Sequence, residues 1–355
     1  MPRDIVISVD AMGGDAGPAA VIGGMAKSAR KNDEIRFIVH GDEAILQPLI
    51  AKRRELTDIV EIRHAPDVVS MDAKPSRVVR NGKTTSMWAT LQTVEAGDAP
   101  VAVSCGNTGA LMAIAMLRLR KAPGVDRPAI AVLWPSPRAG SHKVVLDVGA
   151  DIRAEADNLL QYAIMGAEYA RIGLGIDMPR VGILNVGTEE HKGRPSLQDA
   201  NKLLEAAAQG DGFTHVGFVE GGDLASDTVD VIVTDGFTGN VALKTAEGTA
   251  SLIRGFLKEA MMHTIFSRIG ALFALTSLRR LQKRVDPRRV NGGVFLGLNG
   301  AVVKSHGGAD ATGVSAAIKL AFTMAKGGFS ETLAQRIASH ATKHEDAPKT
   351  QGDTA

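Results

Sequence analysis

Short apolar runs alternate with longer stretches of helical periodicity along most of the chain. Runs such as Ile5–Val9, Ile35–Val39 and Val231–Val233 are rich in β-branched residues and too short for helices, which predicts buried strands. The stretches between such runs, for example Ala154–Arg171, carry apolar residues at helical spacing. Because strands and helices alternate over so much of the chain, we predict a doubly wound, mostly parallel α/β sheet.

Two of the predicted strands end in loops of the same design. Val231–Val233 leads through Thr234–Asn240 into a helix, and Val101–Ser104 leads through Cys105–Gly109 into another; Val181–Gly193 is a weaker third copy. The N–H groups and the positive dipole end of such a helix favour a bound anion, although an ordinary turn capped by Asp or Asn is the alternative. We expect the three loops to converge on one site, because ligands bind at the carboxyl ends of parallel strands.

The alternation stops after Thr249. The stretch Leu257–Leu281 is predicted to be helical, with an apolar stripe of Met262, Ile265, Phe266, Ile269, Leu272 and Phe273. A basic cluster follows, formed by Arg279, Arg280, Lys283, Arg284, Arg288 and Arg289. An apolar stripe beside such a cluster is typical of a helix on an anionic membrane; a core or dimer-interface helix followed by solvated charges is the alternative.

These patterns predict one α/β catalytic domain over residues 1–344, or two subdomains around a cleft. The domain includes a protruding helical membrane or dimer segment, 249–290. Residues 345–355 are polar and are predicted to be a disordered tail.

Composition narrows the class of protein. Of the 355 residues 45% are hydrophobic and 23% charged, which is typical of a folded globular protein. The net charge of +2 gives no reason to expect a nucleic-acid partner. A single cysteine excludes internal disulfides and fits a reducing compartment. Without a signal peptide or a spanning apolar run, we expect a cytoplasmic protein. Because of the apolar stripe beside the basic cluster, we also expect it to associate reversibly with the inner face of the cell membrane.

Several common catalytic motifs are missing from the sequence. It contains no G-x-G-x-x-G, no G-x-x-x-x-G-K-[ST], no G-x-S-x-G and no zinc-type spacing of Cys and His. The aspartates that end predicted strands have oxygen ligands for Mg²⁺, but such residues more often cap helices, so we predict no metal and no cofactor. Cys105 lies near a helix N-terminus, where a thiol is activated, but we favour the alternative of a small buried apolar residue.

Five long motifs resemble those of the bacterial phosphate acyltransferases, and they occur in consistent order between Ile5 and about Gly328. They are DAMGGD (10–15), SCGNTGA (104–110), LDVGAD (146–151), GTEEHKG (187–193) and TDGFTGN (234–240). The resemblance implies a homodimer with the fold of phosphotransacetylases and of isocitrate and isopropylmalate dehydrogenases. The family commonly has Ala at position 105 and Asn at position 151, which argues against catalytic roles for Cys105 and Asp151.

The resemblance also implies a reaction. A long-chain acyl group passes from acyl-carrier protein to inorganic phosphate, and the acyl phosphate feeds a membrane glycerol-3-phosphate acyltransferase in phospholipid (phosphatidic acid) synthesis. Because phosphate dianion is already a nucleophile, the protein must hold it beside the thioester, stabilise the oxyanion and let the thiol leave.

The predicted site residues follow from these tasks. Catalytic candidates are Asp235, Asn240, Lys192 and His306. Substrate-binding candidates are Gly106, Asn107, Thr108, Gly236, Thr238 and Lys244. The two helix N-termini supply N–H donors, the lysines supply positive charge, and Asp235 and His306 are candidates for proton transfer; we expect Asn107 and Asn240 to be rim residues. Lys244 on a solvated helix face and a structural His306 are the alternatives.

Two other classes of function stay open from the sequence. One is a metal- and NAD-dependent dehydrogenase of the same fold, against which the missing dinucleotide motif argues. The other is a non-enzymatic scaffold that recruits acyl-carrier protein to the membrane.

Overall fold

The structure is a computed structural model that describes residues 4–138, 141–210, 212–278, 280 and 293–345. Within these residues the predicted alternation of strands and helices is present. The strands are β1 (Ile5–Asp10), β2 (Ile35–Gly41), β3 (Val60–His64), β4 (Val101–Ser104), β5 (Ala129–Pro135), β6 (His142–Leu146), β7 (Arg180–Leu184), β8 (Thr214–Val219), β9 (Val231–Val233), β10 (Gly293–Leu296) and β11 (Ala301–Lys304).

Helices connect most of these strands. They are α1 (Gly17–Ala29), α2 (Glu43–Ala51), α3 (Pro75–Asn81), α4 (Ser86–Glu95), α5 (Thr108–Arg118), α6 (Ala156–Leu174), α7 (Pro195–Ala208), α8 (Gly236–Met262), α9 (Ile265–Phe273), α10 (Ala311–Lys326) and α11 (Phe329–Glu345). Two 3₁₀ turns are also present, Arg54–Leu56 and Gly221–Ala225.

The strands form one 11-stranded sheet in the order β3-β2-β1-β4-β11-β10-β5-β6-β9-β7-β8. Neighbouring strands are parallel except that β10 is antiparallel to both of its neighbours and β5 is antiparallel to β6. Successive residues of a strand point to opposite faces, so Val101 and Val103 belong to one apolar core and Ala102 to the other. Helices α1, α6 and α10 cover the first face, and α4 and α5 cover the second.

Strand β5 joins two half sheets. Its residues 129–131 pair with β10, and its residues 132–135 pair with β6. Lys304, at the carboxyl end of β11, pairs with Gly293 at the start of β10, and Leu146 ends β6 next to the residue that pairs with Val132. The carboxyl ends of the two half sheets therefore meet near the same point of β5.

Helices α8 and α9 extend away from the sheet. The buried residues of α8 are Gly236 and Gly239 in its first turn, and α9 buries none. The predicted helical stretch 257–281 is divided after α8, because Thr264 takes an extended conformation and caps a new helix through the N–H of Ser267 (3.0 Å). Both helices carry exposed apolar side chains, so this segment, α8–α9, protrudes as predicted.

Two predictions fall largely outside the described residues. Of the basic cluster, the structure describes Arg280 alone. Of the predicted tail 345–355, Glu345 is the last residue of α11, and residues 346–355 lie outside the described part of the chain.

Candidate active site

A cavity of about 580 Å³ lies where the carboxyl ends of the two half sheets meet. Its polar lining includes Thr108, Asn240, Lys244, Lys304 and His306. Its apolar lining includes Met112, Met116, Val132, Val148, Ile152, Phe237 and Leu243. Loops from both half sheets contribute to it, which fits the rule that parallel sheets bind ligands at their carboxyl ends.

On the first half sheet, the carboxylate of Asp10 fixes the backbone around the cavity. Asp10 is buried and accepts hydrogen bonds from Ser86 Oγ (2.7 Å), Ser104 Oγ (2.7 Å) and the N–H of Gly13 (3.1 Å). Ser104 Oγ in turn accepts the N–H of Gly106 at 3.0 Å. A Cβ at Gly106 would press on the terminal methyl group of Met87, so the loop packs closely against α4. Asp10 therefore positions the start of α5 and has its oxygens occupied.

Lys304 brings a buried positive charge to the cavity. It is 8% exposed, and its Nζ donates to the carbonyl oxygens of Cys105 (3.4 Å) and Ser305. Burial lowers the pKa of the Lys304 ammonium to about 8, although the nearby carboxylates of Asp10 and Asp15 oppose this shift. An amine with this pKa changes its charge close to neutral pH, and such groups are common in active sites.

The sequence pattern predicts only that Lys304 ends a strand, so it does not identify Lys304 as a candidate site residue. The available signal was a charged side chain directly after the apolar run Ala301–Val303 and two residues before His306. A charge at that position lies at the carboxyl edge of a sheet, where ligands bind.

Asn107 is not part of the cavity lining. As N-cap of α5, its Oδ1 accepts the N–H of Ala110 (3.0 Å), and its Nδ2 donates to the carbonyl oxygens of Met71 (2.8 Å) and Ala73 (3.0 Å). These bonds tie the segment before α3 to the start of α5, and the rim position of Asn107 stays a prediction. Thr108 lines the cavity, and N–H groups in a first helical turn have no partner within the helix.

On the second half sheet, backbone N–H groups surround the carboxylate of Asp147. This buried group accepts from the N–H groups of Ile130 (2.8 Å), Ala150 (2.9 Å) and Asp151 (2.6 Å). Burial raises the pKa of Asp147 to about 6, against the effect of these hydrogen bonds. The carbonyl oxygen of Asp151 accepts the N–H of Gly236 (2.7 Å), so the loop after β6 fixes the first turn of α8.

Asp235 acts as the N-cap of α8. It is buried; its Oδ1 accepts the N–H of Thr238 (2.8 Å), and its Oδ2 accepts Thr238 Oγ1 (3.0 Å) and Arg194 Nη2. Neither Asp235 nor Thr238 is part of the cavity lining, whereas Gly236 and Asn240 are. The geometry thus matches the capping interpretation of this turn, with both carboxylate oxygens engaged.

Three further candidates differ in their distance from the cavity. His306 lines the cavity, and its Nδ1 accepts the N–H of Gly308 (3.2 Å), so the neutral ring carries its proton on Nε2. Lys244 also lines the cavity, and it forms an ion pair with Glu247 (2.8 Å). Lys192 pairs with Glu189 (2.8 Å) in the third loop and is not part of the lining.

The third loop therefore does not converge as predicted. It touches the start of α8 through Arg194 and Asp235, but it contributes no residue to the cavity lining within the described chain.

Cys105 is buried, with 4% of its surface exposed. Burial raises the pKa of its thiol to about 11, so the side chain is protonated at neutral pH. This environment matches the predicted buried apolar residue rather than an activated nucleophile. Among the described residues, no group of three or more His, Cys, Asp or Glu side chains is placed to hold a metal ion.

The model of the family described as fatty acid synthesis protein matches residues 5–332. The chain belongs to this family. It is 66% identical to the phosphate acyltransferase of Jannaschia sp. over 335 residues, which cover 94% of this chain and 92% of that protein. It is 63% identical to the phosphate acyltransferase of Cereibacter sphaeroides over 345 residues, 97% of this chain and 94% of that protein. The predicted family and the predicted class of enzyme, an acyltransferase, are confirmed.

Solved structures support the fold alone, because their sequence identity is low. A phosphotransacetylase from Streptococcus pyogenes matches with a TM-score of 0.62 and 16% identity, covering 92% of this chain and 95% of that one. The EutD phosphotransacetylase from Staphylococcus aureus matches with a TM-score of 0.57 and 16% identity, covering 91% and 94%. The predicted fold class is confirmed.

Proposed function

We propose that this protein transfers a long-chain acyl group from the thioester of acyl-carrier protein to inorganic phosphate. A phosphate oxygen attacks the carbonyl carbon, a C–O bond forms, and the C–S bond breaks. The products are acyl phosphate and the free carrier thiol, after the leaving sulfur takes up a proton. The relatives at 63–66% identity carry the name phosphate acyltransferase, which supports this reaction.

The observation that carries the proposal is that one cavity has both charged or polar and apolar lining residues. Its polar lining combines the ammonium of Lys304 with the first turns of α5 and α8, which favour a phosphate dianion and a developing oxyanion. Its apolar lining residues, such as Met112 and Leu243, offer the surface that a long acyl chain needs to leave water. A thioester carbonyl bound in this cavity lies beside the nucleophile.

The lining residues suggest a division of roles. We assign phosphate binding to Lys304 and to the N–H groups around Thr108, because both belong to the first half sheet. Asn240 is placed to donate to the oxyanion from the opposite side. His306 is the candidate proton donor to the leaving sulfur. We assign Asp235 a positioning role, and the catalytic role of Lys192 stays a prediction.

The direct test is to mix the protein with palmitoyl-carrier protein and phosphate, then measure free thiol and acyl phosphate together. Equal amounts of both products are expected. Release of thiol without acyl phosphate would indicate a thioesterase, and carrier binding without either product would indicate a scaffold. Reduction of a nicotinamide cofactor by the protein would favour the dehydrogenase alternative.

We also propose that α8–α9 attaches the protein reversibly to the cytoplasmic membrane. Phe266 and Phe273 are 86% and 87% exposed, and Ile265 and Leu272 are 72% and 70% exposed. Side chains of this size are rarely left in water as a continuous stripe, so a membrane or another protein covers them. No helix among the described residues has the length and hydropathy of a membrane span.

The chemistry of the proposed product favours a membrane, rather than another protein, as the surface that covers the stripe. A long-chain acyl phosphate is poorly soluble, and the proposed acceptor enzyme, a glycerol-3-phosphate acyltransferase, is a membrane protein. Part of the stripe also suits a homodimer, in which two copies pack α8–α9 against each other.

Flotation with anionic liposomes tests the attachment. Replacing Ile269 and Leu272 with Glu is expected to abolish flotation. The matched control replaces Ile45 and Met178 with Glu, because both are exposed but lie outside α8–α9. Light scattering on all three proteins measures the dimer separately, so loss of the dimer is distinguished from loss of the membrane. Flotation of the Ile269 and Leu272 variant at the parental level would contradict the proposal.

A further inference from the structure

A groove of about 750 Å³ lies between α1 and α10, outside the proposed active site. Three lysines contribute to its lining: Lys27 and Lys31 from the end of α1, and Lys319 from α10. The remaining lining residues are Ser28, Asn32, Ile35, Thr312, Ser315, Ala316, Phe322 and Thr323. None of these lining residues, all from the described part of the chain, is acidic. A groove with one sign of charge and many hydroxyl groups suits an acidic ligand.

The lysines differ in how they are held. Lys27 is half-buried, and its Nζ donates to Thr312 Oγ1 at 2.9 Å, which fixes one positive charge at the end of the groove nearest the start of α10. Lys31 and Lys319 are exposed and present their charges to solvent. Burial lowers the pKa of His142, and the positive charge of Lys319 lowers it further, so Lys319 lies close enough to His142 to act on it electrostatically. The carboxylate of Glu34 does not line the groove, and it is paired with Lys326 (2.6 Å).

We infer that this groove is the docking surface for the acidic carrier protein that presents the acyl thioester. The inference rests on the proposed function, because that function requires such a carrier. Charge complementarity across an interface steers encounter and fixes orientation, and it acts mainly on the rate of association. The overall charge of the chain is close to neutral, so a local cluster of lysines is what distinguishes this surface.

The groove lies within reach of the cavity. Thr312, which contacts Lys27, follows the cavity residue His306 by six positions, and six residues span at most roughly 20 Å. A carrier whose body rests on α1 and α10 therefore needs only a flexible arm of that length to place its thioester beside Lys304. A flexible prosthetic arm of a carrier protein serves this purpose.

The test reverses the two exposed charges and leaves the fixed one in place. Lys31→Glu and Lys319→Glu are combined in one variant. The matched control combines Lys52→Glu, directly after α2, with Lys202→Glu on α7; both lysines are exposed and lie outside the groove. Each variant is assayed at low salt with palmitoyl-carrier protein and with palmitoyl-pantetheine, which has no protein to dock.

The expected result is a rise in KM for palmitoyl-carrier protein of about tenfold or more in the groove variant, with kcat retained, because lost charge complementarity slows association. The control variant keeps the parental KM, and palmitoyl-pantetheine turns over at about the parental rate in all three proteins. The difference between groove variant and parent is expected to shrink at high salt.

Other outcomes overturn the inference. An unchanged KM in the groove variant shows that the carrier docks elsewhere, and a rise in KM for Arg288→Glu with Arg289→Glu would move the docking surface to the basic cluster. Equal loss with both thioesters would also contradict the inference, because palmitoyl-pantetheine has no protein to dock and the lysines would then act on the reaction itself. If the parent turns over neither thioester, the proposed function fails instead, and calorimetric binding of the carrier to parent and variant still tests the groove.

Discussion

The two half sheets contribute different chemistry to one cavity. The first half brings the ammonium of Lys304, and its carboxylate, Asp10, is held largely by the hydroxyl groups of Ser86 and Ser104. The second half brings an amide, Asn240, and apolar side chains, and its carboxylate, Asp147, is held by backbone N–H groups. Both carboxylates are buried and shape the loops, so neither supplies charge to the cavity surface.

This difference suggests that phosphate and the acyl group are bound by different half sheets. Fixed positive charge lies on the half sheet that we expect to hold phosphate, and the amide of Asn240 lies on the other half. Apolar lining comes from both halves, with Met112 on α5 and Leu243 on α8. A dianion on one side and an uncharged thioester on the other require this asymmetry. Lys244 is the exception on the second half, and it is paired with Glu247.

Removing the charge from the first half is expected to have the largest effect. Lys304→Met, which keeps most of the side-chain volume, is expected to lower kcat/KM for phosphate by on the order of 10³, because it removes a buried cation of the cavity lining that forms no ion pair within hydrogen-bond distance among the described residues. Lys244→Met, the matched change on the second half, is expected to cost only a few-fold, since that lysine is exposed and paired. Steady-state kinetics with varied phosphate measure both; equal losses would erase the proposed asymmetry.

Asn240 on the second half sheet and Asn107 on the first are expected to differ in what their loss changes. Asn240→Ala is expected to lower kcat by about 10²-fold, as loss of an oxyanion donor does, without a change in thermal stability. Asn107→Ala is expected to lower stability by about 1–2 kcal/mol, because it removes an N-cap and two hydrogen bonds to the segment before α3, with a smaller effect on kcat. Unfolding in urea and turnover are measured for each. The reverse pattern would place the oxyanion on the first half sheet.

The lowered pKa of Lys304 predicts a pH dependence for phosphate. Below a pH of about 8 the amine is protonated and binds the dianion, and above that value the charge is lost. We therefore expect kcat/KM for phosphate to fall roughly tenfold per pH unit above that pKa, since this parameter reports the free enzyme. Lys304→Arg stays charged and is expected to flatten the profile, even if its activity is lower. A fall of the same steepness in the Arg variant would assign the titration to another group.

Cys105 is expected to contribute least. Its thiol is buried and protonated at neutral pH, so Cys105→Ala is expected to stay within about twofold of the parental activity. Mass spectrometry of the protein mixed with palmitoyl-carrier protein is expected to show no acyl adduct on Cys105. Such an adduct, or an inactive variant, would replace direct attack by phosphate with an acyl-enzyme mechanism.

The sequence by itself determined the elements and the family. The apolar runs and the helical periodicity predicted the strands and helices, because local burial and propensity produce those patterns. The five motifs identified the family over most of the chain, and two of the three glycine-containing loops contribute residues to the same cavity. The sequence also predicted the exposed stripe on α8–α9, because its spacing left an apolar face with no strand to pack on.

Tertiary structure decided which side chains face the cavity. Asp235 and Asn107 have the residue types of catalytic groups, but both cap helices because their oxygens meet free N–H groups close by in the chain. The third loop has the same local pattern as the other two, yet its strand, β7, lies two places from β6 and its loop does not reach the cavity. Lys304 became a candidate only when β11 was found between β4 and β10, since the pairing of distant strands sets the position of a side chain that its neighbours in sequence do not reveal.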